Sequence, residues 1–357
     1  MTRLKVGGCE NRGMDPRYSR QLVLPGFGAS AQARLGEARV LVIGAGGLGS
    51  AVLPALAAAG VGTIGVIDDD LVELSNLHRQ TIHGTEDVGN YKTTSAIESI
   101  RAINPSVRVS PYEERLIAEN ALALFEQYDL IVDGSDNFPT RYLAADAATL
   151  TGKPLVWGAV SQYGGQASVA LPGGPGYRDL FPVPPAPGTV DNCEVGGVLP
   201  TTVAVIGSVM ATEVLKVLTG VGEPLAGRVT TYDALTGRFR EIAFAKSAEP
   251  VTELIDYELF CGVGVSSWEG ASLLDVRETW EAEIASLPGA LLVPLGSLPD
   301  VIERLDPQED WVVYCHHGIR SQQAVDYMRQ RGFESVRNLE GGIDAWAKAN
   351  DPSMARY

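Results

Sequence analysis

The chain has 357 residues, 45% of them hydrophobic, with 40 glycines and 21 prolines; this suits a globular protein of about two domains with substantial buried cores. Its formal charge of −16, from 28 Lys and Arg against 44 Asp and Glu, argues against a nucleic-acid surface, which needs cations on phosphates, and suits a cationic protein partner better. Cys9, Cys193, Cys261 and Cys315 lie far apart with no Cys-x-x-Cys pair, so neither a disulfide framework nor a cysteine-rich zinc site is expected, and a reducing cytoplasm is.

The opening "MTRLKVGGCENRGMD" has no apolar core, so no secretory signal is expected. Apolar, β-branched runs at 38–44, 63–68, 129–134 and 155–160 alternate with helix-length stretches at 48–59, 91–103 and 139–150. Such alternation predicts an α/β fold, a Rossmann-like, doubly wound and mostly parallel sheet with helices on both faces. Further strands at 166–170 and 228–232 extend it. Between them, residues 171–192 hold six prolines and four glycines, a composition read as a long mobile loop without regular structure. The apolar segment from Val198 to Leu218 carries Pro200, Glu213 and Lys216, so it reads as a buried helix, and no membrane segment is expected. After the connector "KSAEPVTELIDYELFCGVGV" a fresh strand-helix alternation begins at "ASLLDVRE". The domains are therefore placed at 1–247 and 266–357, with a linker at 248–265, the second domain being a small α/β unit.

In "VLVIGAGGLGS", Gly44, Gly46 and Gly49 form G-x-G-x-x-G between a strand and a helix. Residues without a Cβ let phosphates approach the backbone and the positive end of the helix. Asp68 closes the next strand nineteen residues after Gly49, where a carboxylate can accept ribose hydroxyls. This much fits NAD equally well. Beyond the second strand come Asn76, Arg79, Gln80 and Lys92, a polar cluster larger than a dinucleotide needs but suited to a triphosphate. Asp136 and Asn137 in "DGSDN" follow another strand, at the carboxyl edge of the sheet where ligands bind. A carboxylate among phosphate oxygens suits Mg²⁺. Taken singly, Arg79 and Lys92 also read as solvated charges and Asp136 as a helix cap.

The stretches "RYSRQLVLPGFG", "GAGGLGS", "DDDLVELSNLHRQ", "GNYKTTSA", "INP", "DGSDN" and "NCEVGGVLP", across residues 17–240, resemble the MoeB/ThiF family. These are bacterial relatives of ubiquitin-activating enzymes that adenylate the C-terminal glycine of ubiquitin-like sulfur carrier proteins. The resemblance implies ATP contacts from Gly47, Asp68, Ser75, Asn76, Leu77, His78, Arg79, Lys92, Asp136 and Asn137, with Asp136 as the Mg²⁺ ligand. It also implies a homodimer in which Arg20 reaches the triphosphate of the other subunit, and a part for Cys193 in a thioester or acyl-disulfide with the carrier. Arg17 and Arg20, at i and i+3, are expected to share a helix face. Many family members hold zinc with two Cys-x-x-Cys pairs; the matching stretches here read "GYRD" (176–179) and "AEPVT" (248–252), so no zinc is predicted. A carboxylate is a poor acyl donor, so its attack on the α-phosphorus of ATP first makes a mixed anhydride with AMP as leaving group. Both reactants are anionic, and Mg²⁺, Lys92 and the arginines would offset their repulsion.

Near the far end, "WVVYCHHGIRSQQAVDYM" reads strand, loop, helix, with Cys315 opening the loop. Amides of residues 316–321, including Gly318, at a helix mouth with Arg320 should lower the thiol pKa and favour the nucleophilic thiolate. Four residues separate Cys315 from Arg320, one fewer than in the phosphate cradle of protein tyrosine phosphatases, which suits a persulfide. His316 and His317 receive no role. "LLDVRETWE", "PGALLVPL", "CHHGIRS" and "NLEGGIDAW" in order resemble a rhodanese domain, which implies that Cys315 carries a transferable sulfur. The two resemblances together look like the MoeZ-type fusion of adenylyltransferase and rhodanese. They imply a carrier with a Gly-Gly tail as partner and a persulfide donor such as a cysteine desulfurase. The rival readings are an NAD-dependent oxidoreductase, which needs neither Lys92 nor Asp136, and a non-catalytic scaffold that docks carriers.

Overall fold

The computed structural model describes residues 15–185, 197–247, 249–255, 257–261, 268, 270–339, 341–351 and 354–355. They fall into two compact units, one of 15–183 with 197–254, the other of 184–185 with 255–355. Cys9 and Cys193 lie outside the described residues.

The larger unit is built on one sheet whose described strands run β3-β2-β1-β4-β5-β6-β7-β8. These are β1 Arg39–Ile43, β2 Thr63–Ile67, β3 Arg108–Tyr112, β4 Leu130–Asp133, β5 Leu155–Ser161, β6 Gly164–Ala170, β7 Arg228–Asp233 and β8 Arg238–Ala243. The first five pair in parallel and the last three antiparallel. β1, β2 and β4 are nearly continuous apolar runs because helices cover both faces. Strand order reverses between β1 and β4, whose residues Val40–Ile43 pair with Leu130–Asp133. The carboxyl ends of these strands therefore flank the crevice where doubly wound sheets bind ligands.

The helix Pro200–Thr219 is long and apolar enough to cross a membrane by length and composition. In the fold it lies against the sheet and against the helix Gly47–Ala59. Its Glu213 is buried, accepting the Leu225 amide at 2.8 Å and pairing with Lys216. A Cβ on Gly207 would stand 2.6 Å from the Ala51 Cβ, so the two helices cross at nearly backbone distance.

The structure corrects the sequence in four places. Residues Tyr177–Leu180, inside the stretch expected to lack regular structure, form a short helix whose Asp179 accepts the Gly176 amide at 2.8 Å. Strand β3 escapes the sequence pattern because it is an edge strand containing Pro111, a residue that edges tolerate. Strand β8 is exposed along its whole length and carries the charges of Arg238, Arg240 and Glu241, as suits the opposite edge. Arg17 and Arg20 do not share one helix: Arg17 sits in a 3₁₀ turn, Pro16–Tyr18, with its guanidinium on the Ile103 carbonyl, and Arg20 in the four-residue helix Ser19–Leu22.

The smaller unit has a parallel sheet in the order β10-β9-β11-β12, from β9 Ser272–Asp275, β10 Leu291–Leu292, β11 Trp311–Tyr314 and β12 Val336–Asn338. Its own cores include Leu274, Val313, Val325, Met328 and Phe333 on one side and Leu273, Val312, Tyr314 and Leu339 on the other. The helix Ile319–Gln330 follows β11 after a short loop, and Cys315 opens that loop.

Candidate functional site

The first cluster forms at the β1/β4 reversal. Gly44 leaves β1 at φ +89, a backbone state that side chains avoid, and a Cβ there would meet the Gly134 carbonyl at 3.3 Å. Gly49 packs tighter, since a Cβ would sit 2.2 Å from the Gly44 carbonyl oxygen. The two glycines let the loop after β1 and the loop after β4 meet over the N-terminus of the helix Gly47–Ala59. The cleft they leave is lined by Gly44, Gly46, Gly47, Asp68, Arg79, Gln80, Lys92 and Asp136 among the residues expected from sequence, and by Asp70, Ser135 and Arg141, which were not.

Asp68 holds this loop in place: its Oδ2 accepts the Ala45 amide at 2.7 Å and its Oδ1 the Asp70 amide at 2.9 Å. Each oxygen keeps a lone pair for a ribose hydroxyl. Burial pushes the Asp68 carboxyl up, opposed by Lys92 and the two amides. Lys92, 5% exposed at the start of the helix Lys92–Ile103, directs its ammonium onto Asp70 at 2.6 Å. Asp68, Asp69 and Asp70 bring their oxygens within 4.8 Å of one another, but Asp68 and Asp70 already serve the backbone and Lys92.

The β4 loop is shaped by Asp133, which is buried and takes both the amide and the hydroxyl of Ser135, at 3.0 and 2.6 Å. Burial pushes the Asp133 carboxyl up, against Arg141 and the Ser135 bonds. That turn leaves Asp136 exposed at the cleft. The helix cap is Asn137, whose Oδ1 accepts the Thr140 amide at 3.0 Å; Asn137 does not line the cleft. Arg141 stands one turn into that helix, donating to the Ser135 carbonyl at 3.1 Å. A cation near a helix N-terminus opposes the dipole, which is the sequence signal that marks it.

Other expected residues lie elsewhere. Ser75, Asn76, Leu77 and His78 form a local knot around the 3₁₀ turn Leu74–Asn76, with Ser75 donating to Glu73, Asn76 donating to Ser75, and His78 Nδ1 on the Ser75 carbonyl. None of the four lines the cleft, nor does Arg20, which is exposed. Sequence reasoning also passed over His83, 6% exposed, which joins the Ala45 carbonyl at 2.9 Å to the Ser95 hydroxyl at 2.8 Å. Ala45 is thereby fixed at both its amide, by Asp68, and its carbonyl, by His83. Burial lowers the His83 pKa, so the neutral ring donates Nε2–H to that carbonyl. An isolated histidine between apolar residues gives little local signal of this.

These features fit ATP. The glycines let the two loops close up beside the N-terminus of the helix, and the Gln80 Oε1, buried in the cleft wall, has no hydrogen-bond partner among the described residues and can take a donor from the nucleotide.

The second cluster surrounds Cys315, 2% exposed. Its Sγ accepts the Gly318 amide at 3.1 Å and the Ser321 hydroxyl at 3.3 Å. The loop's carbonyls point outward: Cys315 O takes the Ile343 amide at 2.9 Å, His316 O the Asp344 amide at 3.1 Å, and Gly318 O the Asn338 side chain at 3.0 Å. This explains the "GG" of "NLEGGIDAW", because a Cβ on Gly342 would lie 2.4 Å from the Cys315 carbonyl oxygen. Turning carbonyls out turns amides in. Arg320, expected from the sequence to aid the sulfur, makes a two-pronged pair with Glu281, both bonds at 2.6 Å. Arg277, fully buried, is likewise paired with Asp275 and lies over the Tyr314 ring at 5.2 Å.

Known proteins agree with this geometry. The ThiF family model matches residues 18–252 and the rhodanese-like domain model residues 266–349. The chain is 48% identical over 371 residues to the probable adenylyltransferase/sulfurtransferase MoeZ of Mycobacterium tuberculosis, covering 96% of this chain and 95% of that one. It is 52% identical over 261 residues to the sulfur carrier protein adenylyltransferase of Thermus thermophilus, covering 69% of this chain and 96% of that one. The solved structure of E. coli MccB with ATP superposes with a TM-score of 0.59 at 22% identity, over 66% of this chain and 73% of its own, a likeness of fold alone. The chain belongs to the ThiF family, carries a rhodanese-like domain after it, and is an adenylyltransferase/sulfurtransferase.

Proposed function

We propose that the larger unit uses ATP to adenylate the C-terminal glycine of a ubiquitin-like sulfur carrier protein, and that Cys315, as a persulfide, then converts the acyl-adenylate to the carrier thiocarboxylate. The observation that carries the first half is the convergence of the glycine loop, Asp68, Arg79, Lys92 and Asp136 on one cleft at the sheet's reversal point. Amides of the loop and the cations Arg79, Lys92 and Arg141 would hold the phosphates, Asp68 the ribose, and Asp136 the Mg²⁺. Mg²⁺ would offset charge between triphosphate and the attacking carboxylate. The chain's own part is to align that carboxylate with the α-phosphorus and to keep water from the anhydride.

In the second half, the outer sulfur of the Cys315 persulfide attacks the activated carbonyl and AMP departs with the bonding pair. An external thiol attacks the Cys315 sulfur of the resulting acyl disulfide, the thiocarboxylate departs with the bonding pair, and a second external thiol reduces the mixed disulfide and returns Cys315; Cys193 is proposed to carry the acyl group on the way, as a thioester. A cysteine desulfurase is the proposed source of sulfur. The working assembly is a cytoplasmic homodimer in which Arg20 completes the partner subunit's nucleotide site. No zinc is proposed, because neither stretch that matches the family's cysteine pairs contains a cysteine, and in the first Arg178 makes two bonds to Asp146 at 2.7 Å.

The test is carrier-dependent exchange of pyrophosphate into ATP. It should be abolished in Asp136→Ala and retained in Cys315→Ala, while thiocarboxylate formation is lost in both. Full thiocarboxylate yield from Cys315→Ala with a persulfide donor would refute the relay.

A further inference from the structure

Arg320 is a cation of the loop that Cys315 opens, and a buried carboxylate holds it. Both terminal nitrogens donate to Glu281 at 2.6 Å, and Glu281 is 3% exposed, with Oε2 also accepting the Glu278 amide at 2.9 Å. The neighbouring cation, Arg277, is held by Asp275 in the same manner. Asp344 adds a carboxylate beside the loop, 3.8 Å from His317 Nδ1. Burial, then His317, lowers the His316 pKa, so His316 brings no charge at neutral pH. Among the described residues, each arginine near Cys315 is thus matched by a carboxylate. The donors aimed at the sulfur are neutral: the Gly318 amide and the Ser321 hydroxyl.

We propose that Glu281 is a specificity-determining residue of the sulfur-transfer half: by holding Arg320, it turns the Cys315 loop away from dianionic donors such as thiosulfate and toward sulfane sulfur delivered as a persulfide, R–S–SH. This rests on the reading of Cys315 as the sulfur-carrying residue. The Cys315 thiolate attacks the outer sulfur of R–S–SH; a new S–S bond forms, the R–S–S bond breaks, and its electron pair leaves with R–S⁻. The proton of the outer sulfur travels with it, and no oxidant or reductant is needed. With thiosulfate the leaving group would be sulfite, and a dianion would have to enter beside Glu281 and Asp344. Were Arg320 to turn to that dianion, Glu281 would be left as a buried charge without its cation, the costly half of a broken ion pair.

The full-length chain, as wild type and Glu281→Gln, is treated with thiosulfate or with cysteine persulfide, and Cys315 persulfide is followed by mass. Wild type should load from cysteine persulfide at least about tenfold faster in kcat/KM than from thiosulfate. Glu281→Gln should raise the thiosulfate value by about tenfold, with cysteine persulfide within about twofold. ATP–pyrophosphate exchange should stay unchanged, as a check on the intact chain. An unchanged or lower thiosulfate value in a folded Glu281→Gln protein overturns the proposal. Where that variant does not fold, the wild-type comparison decides, and equal loading from the two donors overturns it. Persulfide appearing in Cys315→Ala as readily as in wild type would instead remove the underlying reading of Cys315.

Discussion

Gly49→Ala sets two effects of opposite sign against each other. In a helix interior alanine is favoured over glycine by about 1 kcal/mol, so propensity alone predicts a more stable protein with intact function. The packing predicts otherwise. The new Cβ would lie 2.2 Å from the Gly44 carbonyl oxygen and 3.1 Å from its carbon, more than about 1 Å inside ordinary contact. The obstruction is backbone, so no rotamer relieves it. Gly44 is itself pinned, its amide on the Ile67 carbonyl at 2.9 Å and its face against Gly134. The phosphate loop must therefore move by about 1 Å, and a displacement of that size at a reacting geometry costs about 100-fold. ATP–pyrophosphate exchange should fall by about that factor, with persulfide loading of Cys315 preserved because the smaller unit has its own cores. Exchange within about threefold of wild type would show that the close approach of Gly44 and Gly49 does not position the reactants.

Lys92→Met removes the ammonium but keeps the chain volume, and should lower exchange by about 100-fold, chiefly in kcat if Lys92 acts on developing charge; an unchanged rate would relegate it to holding Asp70. Arg277→Met strands the buried Asp275 carboxylate and should destabilise the smaller unit by about 3–5 kcal/mol in urea unfolding, a loss below about 1 kcal/mol arguing that the pair is not needed. His83 has a lowered pKa in the fold, whereas the unfolded residue titrates at its ordinary 6.5. Protons therefore bind the unfolded chain more tightly, and His83 should make stability fall as pH drops below that value. Thermal melts between about pH 8 and 5 should show a shallower decline in His83→Asn, and an identical slope would contradict this.

The sheet is legible in the sequence where its strands are apolar on both faces and end in glycine: β1 runs into Gly44 and β4 into Gly134, and burial there leaves one residue class to choose from. It is illegible at the two edges, where β3 carries Pro111 and β8 reads "RFREIA", because an edge strand is selected against pairing as much as for it. Within the nucleotide cleft, the loop glycines, Asp68, Lys92 and Asp136 are legible because each follows a strand end or opens a helix, and Arg79 because it stands in a polar cluster beyond the second strand. Asp70 and His83 are not, since what they do is set by partners that only folding brings near, whereas Arg141 carries one overlooked signal, its charge near a helix N-terminus. Glu281 is the clearest case: its partner Arg320 is thirty-nine residues away, and nothing local distinguishes it from a solvated glutamate. Ser75 to His78, expected from the resemblance as ATP contacts, make short-range hydrogen bonds that end on Glu73 and Ser75.

The two units handle negative charge by different means, and this bears on what each requires from outside. The nucleotide cleft is lined by Arg79, Lys92 and Arg141 against Asp68, Asp70 and Asp136, so its own side chains cancel before any substrate arrives. A triphosphate and a carboxylate brought together there add charge that nothing in the lining offsets. The loop amides contribute only the partial charge of a helix end, about half a unit. The remainder must come with the substrate or from another chain, which is the physical reason for proposing Mg²⁺ on Asp136 and Arg20 from the partner subunit. At the Cys315 loop Arg320 is paired with Glu281 and Arg277 with Asp275, and Asp344 adds a further carboxylate, but a persulfide group brings at most one charge, which an amide and a hydroxyl at the sulfur accommodate. Added cations are therefore proposed for the first unit and none for the second.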